Sequence, residues 1–415
     1  MARTLAQWLD YQQRVHPKSI DMGLERVGEV AKRLGVGRPA RHVITVGGTN
    51  GKGSTVAFLE AIARAAGLRT GAYTSPHLLR YNERVRIDGT EAADEALVAA
   101  FERIEAARGD VPLTFFEFGT LAALLLFEAA DLDLAILEVG LGGRLDATNI
   151  VDPDCAVITT VDLDHQDYLG EDREAIGAEK AGILRAGKPC VLAEKDPPSS
   201  VLRRAYAIGA FAIRGHSDYL VDVLGAGWRW REPGYEIELP DPAMAAPAQR
   251  DNAAAAIAAL RALDLPVPDA AIREGVASAR APGRLQVLAG EPETVLDVAH
   301  NPQGARQLAA WLQANPKTTV AVFSALADKD LGGVCEALAP WLQAWHLGPI
   351  TDAGRRGLPV DELARRLGEH LPADILHPHR SLADALAAAR QAAGAQGRVL
   401  VFGSFHTVAA AMSPG

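Results

Sequence analysis

At 415 residues the chain exceeds one ordinary domain and predicts two or three, and its 48% apolar and 23% charged residues exclude wholesale disorder. Forty-two Lys and Arg against 52 Asp and Glu leave a net charge of −10, which argues against a general binder of nucleic acid or anionic membrane. Three dispersed cysteines, Cys155, Cys190 and Cys335, fit neither a disulfide framework nor paired metal spacing, and the first ten residues lack a signal-type apolar core, so a reducing, cytoplasmic setting is expected.

Strand-like apolar runs alternate with helix-period stretches, the pattern of an α/β fold built on mostly parallel sheet. A strand is predicted at 41–46, then a Gly-rich turn, a helix over about 54–66 and a second strand from 69, which together make one crossover. A helix is predicted over 120–130. Its apolar run ends at Glu128, far short of the ~20 residues of a membrane span. Strands follow at 134–139, 155–161 and 189–192, with a helix over 171–185. The short Trp/Tyr alternations of 218–240 resemble antiparallel hairpins, an appendage to the main fold. Helices at 249–263 and 268–279 lead to Ala281-Pro-Gly-Arg284, whose Pro-Gly pair suggests a hinge at 281–284. Beyond it, strands at 294–298, 318–323, 344–347 and 398–402 predict a smaller α/β domain over 285–415, set against a larger one over 1–280.

The strongest chemical signal is Gly47-Gly-Thr-Asn-Gly-Lys52-Gly-Ser54, lying between a predicted strand and a predicted helix. Glycines let backbone N–H groups curl around phosphate oxygens, the helix start adds positive potential, and Lys52 supplies a point charge. The motif departs from the common phosphate-loop pattern, because Val46 holds the first glycine position and Gly53 separates Lys52 from Ser54. Nucleotide binding is expected at Thr49, Asn50, Gly51, Lys52, Gly53 and Ser54.

With this variant the chain resembles the Mur ligase superfamily, and within it the folylpolyglutamate synthase/dihydrofolate synthase family. The same order of motifs continues in Thr74-Ser-Pro-His-Leu78, Thr114-Phe-Phe-Glu-Phe118, Glu138-Val-Gly-Leu-Gly-Gly-Arg-Leu-Asp-Ala-Thr-Asn149, Asp164-His-Gln-Asp-Tyr-Leu-Gly170, Glu179-Lys-Ala-Gly-Ile183, Gly283-Arg284 and Asp297-Val-Ala-His-Asn-Pro302. The resemblance implies an N-terminal phosphate-loop ATPase domain with a C-terminal Rossmann-like ligase domain. It also implies two Mg²⁺ ions, with serine and glutamate at one and glutamate and histidine at the other, which maps to Ser75, Glu138 and His165. Each of these ends or follows a predicted strand, the edge where α/β sheets collect ligands. An imidazole ligand would also accept Mn²⁺. Taken singly, each has an ordinary reading as a turn or solvated residue.

A lysine in a helix-like segment is ordinarily solvent-facing, but the resemblance implies that Lys180 is carbamylated by CO₂ and helps hold the second metal. Arg284 matches an arginine that reaches ATP phosphates. Asp297 and His300 match a nucleotide-contacting motif. Asn252 matches an asparagine near adenine, although a helix-start Asn is often only a cap. A 7,8-dihydropteroate pocket maps to Asp21, Met22, Gly23 and Leu24, to Thr114, Phe115, Phe116 and Glu117, and to Leu145, Asp146 and Ala147. Core packing is the alternative for the two phenylalanines. Ser404 and His406 follow the last strand and are candidates to face glutamate.

The implied reaction is ATP-dependent amide formation: a substrate carboxylate attacks the γ-phosphate, and the amine of L-glutamate then displaces phosphate from the acyl phosphate. Lys52, Lys180, His165 and Arg284 are the expected catalytic set, with domain closure about 281–284 excluding water. The substrates are dihydropteroate, folates and L-glutamate, and the expected form is a monomer. A monofunctional folylpolyglutamate synthase, a cell-wall ligase acting on a UDP-linked acid and a nucleotide-hydrolysing regulatory protein are the competing readings. The folate-type stretches argue against the cell-wall enzyme, and the metal set against the regulatory protein.

Overall fold

The β-branched run His-Val-Ile-Thr-Val-Gly forms strand β1, His42–Gly47, buried from its second residue onward. The computed structural model describes residues 3–18 and 20–412; residues 1–2 and 413–415, at the ends of the two expected domains, and Ser19 lie outside the described residues. β1 is joined by β2 (Thr70–Tyr73), β3 (Val85–Ile87), β4 (Thr90–Glu91), β5 (Leu134–Glu138), β6 (Cys155–Ile158), β7 (Pro189–Leu192) and β8 (Phe211–Arg214) in an eight-stranded sheet ordered β4-β3-β2-β5-β1-β6-β7-β8. Pairing is parallel from β2 to β8, and β3 and β4 add an antiparallel edge. The chain moves outward on opposite sides of β1, so the C-terminal end of β1 is the topological switch point, where such sheets bind ligands.

The helix expected over 120–130 starts earlier, at Phe115, because Thr114 and Glu117 form a reciprocal capping box. The helix expected over 171–185 is broken instead. It runs over Arg173–Lys180 and tightens into a 3₁₀ turn at Ala181–Ile183, where Gly182 packs so closely that a Cβ there would stand 2.3 Å from Arg144 Cβ. β6 stops at Ile158 rather than 161, since Thr159 and Thr160 turn their hydroxyls onto the loop after β1. β3, β4 and β8 are too short or too exposed to show as apolar runs.

Helices Leu5–Val15, Glu25–Leu34, Asp94–Arg108 and Phe115–Ala129 build one core around Trp8, Phe101, Phe118 and Phe127. Helix Asp269–Ser278 lies so near helix Lys52–Ala65 that a Cβ on Gly275 would be 2.5 Å from Ile62 Cα. The expected hairpins are present as β9 (Leu220–Val223), β10 (Trp228–Glu232) and β11 (Tyr235–Leu239), an antiparallel sheet that buries Trp228 and Trp230. The Trp230 indole donates to Ala254 O at 3.2 Å, tying this sheet to helix Gln249–Ala262.

A third sheet, ordered β12-β13-β17-β14-β15-β16, comprises β12 (Gln286–Leu288), β13 (Glu293–Leu296), β14 (Thr319–Phe323), β15 (Trp345–Leu347), β16 (Leu376–Pro378) and β17 (Arg398–Phe402). It is parallel except for β12, and its core centres on Phe323, Trp345 and Phe402. The chain divides into two compact units: 1–162, 166–243 and 250–280 in the first, and 163–165, 244–249 and 281–415 in the second. Among the described residues no helix is long and apolar enough to cross a membrane.

A histidine cluster in the second unit gives a pH prediction. Buried His346 on β15 has Nδ1 3.0 Å from His379 Nε2, and its ring lies 5.0 Å from that of His377. Burial, aided by the charges His377 and His379 would carry, pushes His346 down to about 4, and burial also lowers His379 against the opposing pull of Asp384. An unfolded histidine titrates near ~6.5, so below that pH the unfolded chain takes up protons that the folded cluster refuses. Stability of the second unit is expected to fall between about pH 6.5 and about 4. Urea midpoints measured across this range should fall less steeply for His346→Phe, and an equal slope in that variant would remove the assignment.

Candidate active site

The loop after β1 is shaped by contacts that only glycine tolerates. Gly48 has φ +148°, and a Cβ there would be 1.9 Å from Thr159 Oγ1; Gly51 has φ +88°, and its Cβ would be 2.5 Å from Asn252 Oδ1. The exit of β6 stitches the loop in place. Thr49 N donates to Thr160 O (2.7 Å), Asn50 N to Thr160 Oγ1 (3.1 Å) and Thr159 Oγ1 to Asn50 O (2.6 Å). Thr49 Oγ1 accepts from Asp162 N at 3.0 Å. Lys52 Nζ folds back to donate to Gly48 O and Thr49 O at 3.0 and 3.1 Å, which holds its ammonium over the loop. Helix Lys52–Ala65 begins here, with Gly53 and the buried Ser54 in its first turn, so the backbone N–H groups of a helix start and one positive charge share the loop, the combination that suits an anion. Asn252 lies in the first turn of helix Gln249–Ala262 and packs against Gly51, which places it at the loop.

Glu138 ends β5 directly across from Val46 of β1, and its side chain is buried. Its Oε2 accepts the Ser75 amide at 3.1 Å, so the Thr74-Ser75 turn after β2 and the β5 carboxylate meet beside the phosphate loop. Among the described residues no group of three or more His, Cys, Asp and Glu is arranged to hold a metal. The Ser75 hydroxyl and Glu138 carboxylate are nevertheless hard oxygen donors, and Mg²⁺ is usually bound by one or two protein oxygens together with substrate phosphates. The pair therefore fits a divalent cation carried with a nucleotide. Lys180, also in the first unit, closes helix Arg173–Lys180 and is buried, rather than solvent-facing as composition alone would have it.

The three dispersed stretches expected to face a pterin converge within the first unit. Gly23 N donates to Leu145 O at 3.2 Å. Arg26 donates to Asp21 Oδ2 and to Asp21 O, each at 2.6 Å, and lies 3.2 Å from Glu117 Oε1. Asp146 accepts from Leu141 N, Thr148 N and Thr148 Oγ1 at 2.7–3.0 Å; burial raises its pKa, and those donors oppose the rise. Met22 packs partly buried against the core cluster that includes Val139, Ile158 and Leu169, Leu24 precedes helix Glu25–Leu34, and Ala147 opens a 3₁₀ turn. Phe115 and Phe116 are half-buried, with ring centroids 5.5 Å from Tyr81 and 5.8 Å from Tyr73 respectively. A Cβ on Gly140 would be 2.7 Å from the Phe116 ring. Core packing thus takes one side of each ring without burying it fully.

The remaining expected residues are in the second unit. Asp297, just past β13, accepts from Leu285 N and Ala299 N at 2.9 and 2.8 Å, and burial raises its pKa against the pull of Arg284. Arg284 stands 5.4 Å from the Phe405 ring. His300 Nδ1 lies 2.8 Å from Val298 O and its Nε2 3.3 Å from Asp164 Oδ2. His165, at φ +51°, groups with this unit, whereas Ser75, Glu138 and Lys180 are in the first. Its nitrogens lie 3.9 Å from Asp164 and 4.0 Å from Asp328, and burial pushes it down to about 4, leaving a neutral imidazole. Ser404 is committed locally: its buried hydroxyl accepts Thr407 N at 3.0 Å and meets Thr407 Oγ1 at 2.7 Å, at the start of helix Phe405–Met412. His406 Nδ1 pairs with Asp352 at 2.9 Å.

Sequence reasoning missed Lys329 and the role of Asp164. Lys329, nearly as buried as a core residue, donates to Asp164 Oδ1 at 2.6 Å, and Asn301 donates to Asp164 Oδ2 at 3.1 Å. The available signal was a lysine within Asp328-Lys-Asp330, just after a buried strand, where a lone charge run reads as solvated.

Residues 46–207 match the family described as Mur ligase middle domain, and residues 283–405 match the Mur ligase, glutamate ligase domain. The dihydrofolate synthase/folylpolyglutamate synthase of Escherichia coli strain K12 is 48% identical over 414 residues, covering 99% of this chain and 95% of its own length. A solved structure of E. coli FolC in complex with DHPP and ADP superposes with a TM-score of 0.93 at 48% identity, covering 99% of this chain and 97% of that one. A bifunctional folylpolyglutamate synthase/dihydrofolate synthase crystallised with Mn, AMPPNP and L-glutamate gives 0.91 at 46% identity, with the same coverage.

Proposed function

Because the chain belongs to the dihydrofolate synthase/folylpolyglutamate synthase family of Mur ligases, we propose that it joins L-glutamate to 7,8-dihydropteroate and to the γ-carboxyl of folate glutamate tails at the expense of ATP. The observation that carries this reading is that 21–26, 114–117 and 145–147 are linked to one another by hydrogen bonds and an ion pair in the same unit as the phosphate loop.

Two displacements at phosphorus and carbon make up the reaction. The substrate carboxylate oxygen bonds to the γ-phosphorus and the β,γ-bridging bond breaks, releasing ADP and leaving an acyl phosphate. The glutamate amine then attacks the acyl carbon, loses a proton, and inorganic phosphate departs with the C–O electron pair. No covalent enzyme nucleophile is needed, so the protein's task is positioning and charge neutralisation. The 48–53 loop amides and Lys52 hold the phosphates. Ser75 and Glu138 would hold a divalent cation, Mg²⁺ or Mn²⁺, which when bound supplies positive charge to the phosphate oxygens. Arg284, Asp297 and His300 are assigned to the nucleotide, and Asn252 to its base. Lys180 is assigned as the carbamylated lysine, and His165 is assigned to the second metal's ligand set. A cytoplasmic monomer taking only small molecules completes the reading.

Repeated turnover of ATP to ADP by the purified protein is expected only when dihydropteroate, L-glutamate and Mg-ATP are present together, with a product heavier than dihydropteroate by one glutamyl residue. Tetrahydrofolate in place of dihydropteroate should yield the extended tail. Release indifferent to both substrates would overturn the ligase assignment, and stimulation only by a UDP-linked acid would transfer it to the cell-wall reaction.

A further inference from the structure

Behind the Thr74-Ser75 turn lies an ion pair that touches none of the assigned substrate groups. Glu60 is buried on helix Lys52–Ala65, about two turns beyond Lys52. Arg86 on β3 grips it with Nε and Nη2, each to Oε2, at 3.0 and 2.8 Å. The guanidinium's remaining nitrogen, Nη1, donates to Thr74 Oγ1 at 3.2 Å and to Glu83 O at 3.1 Å. Thr74 adjoins Ser75, whose amide donates to Glu138. The Glu83 carboxylate in turn accepts the amides of Leu78, Leu79 and Arg80, each at 2.7 Å, bracing the rest of the turn.

We propose that the Glu60–Arg86 pair is a positioning device that locks the Ser75 turn to the helix carrying Lys52 and thereby sets the affinity for the nucleotide-bound divalent cation. This rests on the reading of Ser75 and Glu138 as the cation's ligands. Arg is required because its planar group reaches two carboxylate contacts on one edge and Thr74 with Glu83 O on the other, whereas the compact lysine ammonium serves one side at a time. Partners behind a metal ligand typically alter metal affinity by about 10–100-fold when removed.

Mn²⁺ titrated into the full chain with saturating AMPPNP, with free Mn²⁺ read by electron paramagnetic resonance, is the test. Arg86→Gln is expected to weaken Mn²⁺ binding at least about tenfold, and Arg86→Lys to recover only part of it. Nucleotide affinity measured in EDTA should stay near wild type in both. Wild-type Mn²⁺ affinity in Arg86→Gln, or equal losses with and without metal, would overturn the proposal. Should Arg86→Gln fail to fold, Glu60→Gln carries the same titration with the same two outcomes. Glu138→Gln separates the premises: an unchanged Mn²⁺ affinity there defeats the ligand reading, whereas a loss there without one at Arg86 defeats only the positioning role.

Discussion

Lys52→Ala is expected to lower ADP release in the presence of dihydropteroate and glutamate by on the order of 10²–10³-fold, while shifting the unfolding midpoint little. The ammonium donates to two carbonyls of its own loop, and water partly replaces ordinary hydrogen bonds of that kind when it is removed. Its absence at the phosphates is not replaced, because charge migrates toward the β,γ-bridging oxygen as ADP leaves and a fixed cation is worth most there. Lys52→Arg should rescue poorly: the guanidinium is larger than the ammonium that folds onto Gly48 O and Thr49 O. Rapid-quench measurement of acyl phosphate separates the steps. Loss of the first step with preserved folate binding supports the assignment, and near-wild-type turnover in Lys52→Ala would end it.

The α/β class and the phosphate loop were legible because their signals are local. Glycines at 48 and 51 sit where backbone geometry admits no Cβ, and β1 announces itself by a run rich in β-branched residues. Glu138 and Ser75 were legible as strand-end residues, since parallel strands deliver their C-terminal ends to one edge. The convergence of 21–26 with 114–117 and 145–147 had no spacing rule behind it and came only from resemblance, as its hydrogen bonds link residues far apart in sequence. Other features stayed hidden for physical reasons. The segment 163–165 is too short to show its own pattern, yet its contacts group it with the second unit. The helix expected to run through Lys180 stops there because Gly182 packs against Arg144, a constraint invisible to helical periodicity. Ser404 reads as a candidate ligand from its place after β17, but a serine that opens a helix has a backbone amide to cap, and this one caps it.

The other large effect is expected at Asp164, whose carboxylate is held by charged and hydrogen-bonding partners within the second unit. Its carboxylate, 9% exposed, accepts from Lys329 Nζ, Asn301 Nδ2 and His300 Nε2 within 3.3 Å. Burial raises its pKa, but His300, Lys329 and His165 outweigh that and hold it far below the ordinary 3.8. A carboxylate depressed in the folded state stabilises it fully above its unfolded pKa of about 3.9 and loses that contribution only in stronger acid. Asp164→Asn keeps the shape and removes the charge. Lys329, whose side chain is 4% exposed, is then left with Asp328 at 3.8 Å as its remaining carboxylate partner. Stranding one member of a buried pair costs about 3–5 kcal/mol, so the second unit should unfold at markedly lower urea in Asp164→Asn. Asn301 ties this loss to function. Its Oδ1 caps helix Pro302–Ala314 by accepting Gly304 N at 2.9 Å while its amide donates to Asp164, so the carboxylate fixes the start of the helix that follows Asp297 and His300. Nucleotide affinity should therefore fall with stability. Replacing both charges, Asp164→Leu with Lys329→Met, removes the stranded ammonium and is expected to regain much of the lost stability but not the affinity, since the Asn301 bond to the carboxylate is not restored. Recovery of both would assign Asp164 to electrostatic balance alone, and recovery of neither would show that its hydrogen bonds, rather than its charge, hold the segment.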